Sequence, residues 1–184
     1  MSASDRTFLV MALMTFGVAA AGVAWTSLLA RRIWAPASLA LLLAAGATAA
    51  TVGEEVAIGD GQTILVLSLG GLLAVTGGGP LTSLVFDLVD RRELPADSIQ
   101  QAGHVLRGGA WIGALERLAI YATLVAGWPE GLAVVLALKG LGRYPELRAA
   151  EDGVRTGAAE RFIIGTFASV LWACGCAGVV VLAG

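Results

Sequence analysis

Histidine occurs once in this chain, cysteine twice, and Asp, Glu, Lys and Arg together make up only 14% of it. Each shortage removes a class of function. The lone His104 has no second histidine and no cysteine near it, so no zinc-type ligand set can be read from the sequence. Cys174 and Cys176, two residues apart in an apolar run, would point about 200° apart on a helix, and so neither share a metal nor bridge each other. No stripe of lysine or arginine is present, which argues against a nucleic-acid partner. No residue cluster points to a cofactor.

What is abundant is apolar: 57% of the residues are hydrophobic, against roughly 45–50% in ordinary soluble chains, which also carry about 25% charge. The composition is that of an integral membrane protein. An all-α, polytopic membrane helix bundle is expected, one domain over residues 1–184, with spans near 8–30, 34–52, 63–79, 108–126, 129–144 and 162–182. The first run is too long for a signal-peptide core and is followed by Arg31-Arg32, a stop-transfer pattern. The fifth is the weakest, because only Gly131 to Leu138 is uninterrupted before Lys139.

Two breaks stand out. Gly127 suits a left-handed helix end and Pro129 with Glu130 suits a first turn, so the fourth and fifth spans form an antiparallel hairpin. Gly77-Gly78-Gly79-Pro80 reads as the end of the third span, followed by a cytoplasmic amphipathic segment over 80–107 with short helices at Leu81–Val89 and Asp97–Leu106. Lysine and arginine set the orientation. The first, third and fifth connections hold Arg31, Arg32, Arg91, Arg92, Arg107, Arg143, Arg148, Arg155 and Arg161, while the second and fourth hold none. Both termini are therefore expected outside the cytoplasm, with Arg6 the exception.

Glu116 and Arg117 lie inside the fourth span, where a central charge costs about 2.5–3.5 kcal/mol on insertion scales. They are candidates for a site. Measured from the turn at Trp128, Glu116 lies twelve residues before and Lys139 eleven after, so both sit about 17 Å deep and an ion pair between them is expected. Arg143 follows Lys139 on one face. Arg117, on a helix starting inside, is expected to snorkel toward the cytoplasmic headgroups or to meet a neighbour. Glu160 and Arg161 are expected to open the sixth span, and Arg161, Gly165 and Ser169, with Thr166 adjacent, form a small polar stripe.

Three blocks in this region resemble a family of bacterial inner-membrane proteins without an assigned activity. The first is Gly109, Ile112, Gly113, Leu115, Glu116 and Arg117, the second Ala137, Lys139, Arg143, Tyr144, Glu146 and Leu147, and the third Glu160, Ile164, Gly165, Thr166 and Ser169. Arg161 departs from the pattern, standing where an aromatic is usual. The resemblance implies one functional unit in a multi-pass plasma-membrane protein and implies no reaction.

The candidate ligand-binding set is accordingly Glu116, Arg117, Lys139, Arg143, Glu146, Glu160, Thr166 and Ser169. A small carrier or channel component for an ion or anionic solute fits these residues best. The alternatives are an enzyme acting on a lipid phosphate at the cytoplasmic leaflet, with Arg143, Arg148 and Arg161 holding the phosphate, and an assembly subunit whose ion pairs only specify packing. Expected partners are membrane lipids, an ion or small solute, and a second copy of the chain, which the small-residue faces permit.

Overall fold

The computed structural model describes residues 3–51, 60–90, 109–149 and 152–183, all helix apart from short turns. Six helices follow one another: α1 (Ala3–Val23), α2 (Leu28–Ala49), α3 (Asp60–Asp90), α4 (Gly109–Val125), α5 (Glu130–Ala149) and α6 (Asp152–Ala183). Among the described residues, α1, α2, α3 and α6 each contain a stretch long and apolar enough to cross a membrane. Helix α4, at 17 residues, rises only about 25 Å, and α5 is more polar toward its C-terminal end.

Large apolar side chains face outward and small ones face in. Alanine is the commonest buried residue, whereas Phe8, Phe16, Leu29, Leu43, Trp111, Phe167 and Leu171 are exposed. That distribution suits lipid, because apolar chain tails offer no drive to bury leucine and close helix packing then depends on small residues. Helix α3 lies at the centre, touching α1, α2, α4 and α6, while α5 leans chiefly on α4 and only slightly on α6.

Local sequence accounts for the turns. Ser27 caps α2 by accepting from the Ala30 amide at 3.1 Å, so Arg31 and Arg32 lie on the first turns of α2 and not in a connection before it. Gly127 adopts φ 72°. Its amide donates to the Leu124 carbonyl and that of Trp128 to the Thr123 carbonyl, the paired bonds of a Schellman stop, so the expected α4–α5 hairpin forms. Arg6, exceptional in the charge pattern, donates to the Thr51 carbonyl and ties the start of α1 to the end of α2.

The expected break at Gly77–Pro80 does not occur. Helix α3 runs through it to Asp90, so residues 80–90 continue the third helix. In water three glycines and a proline would cost several kcal/mol of helix stability. In an apolar bundle the backbone has no water to turn to, and neighbouring side chains can satisfy the freed groups. The missing amide of Pro80 leaves the Thr76 carbonyl without its intrahelical donor, and the Trp25 indole donates to that carbonyl at 2.9 Å. The remainder of the expected cytoplasmic segment, including His104 and Arg107, lies outside the described residues.

Candidate functional site

Above each residue of the Gly77–Pro80 run lies the carbonyl four positions earlier, and all four of these carbonyls accept from a side chain. Trp172 Nε1 donates to Leu73 at 3.0 Å, Arg117 Nε to Ala74 at 3.1 Å, Arg117 Nη2 to Val75 at 2.9 Å, and Trp25 to Thr76. The glycines make this approach possible. A Cβ on Gly77 would fall 2.2 Å from Trp172 Cζ2, one on Gly78 2.3 Å from Arg117 Cδ, and one on Gly79 2.6 Å from Trp25 Cζ2. Tyr121, one turn beyond Arg117 on α4, adds a bond of 2.6 Å from its hydroxyl to the Leu67 carbonyl.

Arg117 therefore does not snorkel. It is 4% exposed and crosses to α3, and its Nη1 also donates to Ser169 Oγ on α6 at a long 3.4 Å. The gap over Gly78 gives the guanidinium acceptors closer than the headgroups. From the sequence alone Gly77–Pro80 is punctuation, and Trp172 and Tyr121 have no part. The signal that could have found them is that same run read as a bare backbone patch facing polar-tipped aromatics.

Glu116 and Lys139 form the expected ion pair, with Lys139 Nζ 2.5 Å from Glu116 Oε2. Both side chains are about one-sixth exposed. Phe162 of α6 lies below the ammonium, 5.9 Å from Nζ to its ring centroid, so the pair sits on the seam of α4, α5 and α6. Arg143 and Glu146 continue α5 beyond Lys139 toward its C-terminal end, and their side chains lie outside the described residues.

Glu160 is exposed and stands at the start of the apolar stretch Ala159–Ala183, as expected, although the helix itself begins eight residues earlier at Asp152. Arg161 lies over Phe86 of α3, 5.7 Å to the ring centroid. Thr166 and Thr82 carry buried hydroxyl oxygens with no hydrogen-bond partner among the described residues. The candidate residues thus divide between two places. Arg117 and Ser169 belong to the α3–α4–α6 seam, and Glu116 and Lys139 to the α4–α5–α6 seam. Compared with known proteins, the chain matches no family model, no curated protein and no solved structure, so the motif resemblance stands on its own residues.

Proposed function

We propose that the chain is a small integral membrane carrier or channel component for an ion or anionic solute, and that Lys139 is the group the solute engages. The observation that carries this reading is the Glu116–Lys139 pair itself, two opposite charges about one-sixth exposed on the seam of α4, α5 and α6. Charged side chains inside membrane spans usually face the bundle interior or a water-filled cavity and so mark solute paths by default. An anion can take the place of the Glu116 carboxylate at the ammonium, and α5, held mainly by α4, is the helix freest to shift when it does. The arginine distribution favours an orientation with both termini outside, α4 and α5 both crossing, and this seam in the cytoplasmic half.

Reconstituted vesicles loaded in turn with chloride, phosphate and a dicarboxylate provide the test. Efflux of at least one anion above empty vesicles is expected, reduced about tenfold or more by Lys139→Gln, a loss of at least ~1.4 kcal/mol in the barrier-lowering contact. Wild-type efflux equal to that of empty vesicles for all three would overturn the proposal. The mutual neutralisation of the pair favours a second reading, a packing latch. On that reading Glu116→Gln combined with Lys139→Gln recovers the roughly 3–5 kcal/mol that either change alone removes by stranding a charge. The enzyme reading has no comparable contact behind it, since Arg161 is stacked on Phe86.

A further inference from the structure

Serine and threonine hydroxyls in this bundle usually bond back to their own helix. Thr15, Ser38, Thr48, Ser68, Thr76 and Thr123 each donate to a carbonyl three or four residues earlier. Thr82 and Thr166 do not, and both hydroxyl oxygens are buried. Their positions converge. Thr82 lies one turn beyond Gly78, against which the Arg117 side chain packs, and Thr166 lies one turn before Ser169, which accepts from Arg117. A Cβ on Gly165, beside Thr166, would fall 3.7 Å from Thr82 Cγ2, so the two helices approach closely at this level.

Arg117 brings the charge to the same seam. Each guanidinium nitrogen makes one bond, and Nη1 and Nη2 each keep a second hydrogen with no acceptor among the described residues. The acceptors it has are all neutral, while the adjacent Glu116 carboxylate is bonded to Lys139. Gly113, one turn earlier on α4, lies beside Nη1, and a Cβ there would come within 3.1 Å of it. A buried cation with no contacting counter-charge among the described residues, one helical turn from two buried hydroxyls that have no partner there, has the chemistry of an anion site.

We infer that Arg117, Thr82 and Thr166 bind one small monovalent anion of halide size between α3, α4 and α6. This site is separate from Lys139 and stands whether or not the Lys139 reading does. Bromide is the probe. Thermal unfolding of the purified full chain in detergent, with bromide replacing gluconate at constant ionic strength, should show a saturable rise in Tm. The isosteric double change Thr82→Val and Thr166→Val should weaken that response about tenfold or more, by removing two donors to the ion. Anomalous scattering from wild-type crystals grown in bromide supplies a reading that needs no variant: a peak within hydrogen-bond distance of Arg117 and the two threonines is expected. No saturable rise in the wild type, a response retained in the valine variant, or bromide found only elsewhere would each overturn the inference.

Discussion

Gly78 is a position at which a single methyl group would collide with the side chain that reaches α3 from α4. Its hydrogen leaves room for Arg117 Cδ, and a Cβ at 2.3 Å from that atom must push either the arginine or the whole of α4 away from α3. Gly78→Ala should therefore destabilise the bundle by about 1–3 kcal/mol, read as a lower unfolding midpoint in detergent. Arg117→Met should behave differently. The Ala74 and Val75 carbonyls keep their intrahelical donors, so removing the guanidinium takes a bond only from the buried Ser169 hydroxyl, and an apolar side chain of similar volume is expected to change stability by less than about 2 kcal/mol. A loss of more than about 2 kcal/mol in Arg117→Met would show that the guanidinium bonds hold the fold together beyond filling the space.

At the scale of the element, α3 turns a set of weak helix formers into a docking surface. The Trp25 bond to Thr76 exists because Pro80 supplies no amide, and this can be tested by a double-mutant cycle. Trp25→Phe alone should cost about 0.5–1.5 kcal/mol, and the cost should shrink when Pro80→Ala restores a backbone donor to the same carbonyl. Additive costs in the cycle would mean that the indole contributes only packing. The same helix shows what the sequence could and could not tell. Hydropathy and the Gly127–Pro129 turn were enough to give the number of helices and the α4–α5 hairpin with its Glu116–Lys139 pair, but not the α1–α2 turn, which falls at 24–27 inside the expected 8–30 span because the apolar run continues through it. The continuity of α3 and the inward reach of Arg117 were not legible. Each depends on which side chains arrive from α1, α4 and α6, and propensity measured along one segment carries no information about those arrivals.

For the whole molecule, the even number of passes in the α4–α5 hairpin matters more than whether that hairpin crosses fully. The chain leaves α3 and begins α6 on one side in either case. With the proposed orientation, single cysteines introduced into a background lacking Cys174 and Cys176 give the check: a membrane-impermeant maleimide added from outside should label the 127–129 turn and spare the 24–27 turn. Labelling of the 24–27 turn from outside would reverse the orientation. The order of the chain also bears on how the bundle is made. Ala74 and Val75 precede Arg117 by 43 and 42 residues, whereas Ser169 follows it by 52. During synthesis the α3 carbonyls that accept from Arg117 are already in place when the arginine reaches the bilayer. The most expensive residue in the chain thus enters lipid with its partners waiting, and only its weakest contact has to be completed afterwards.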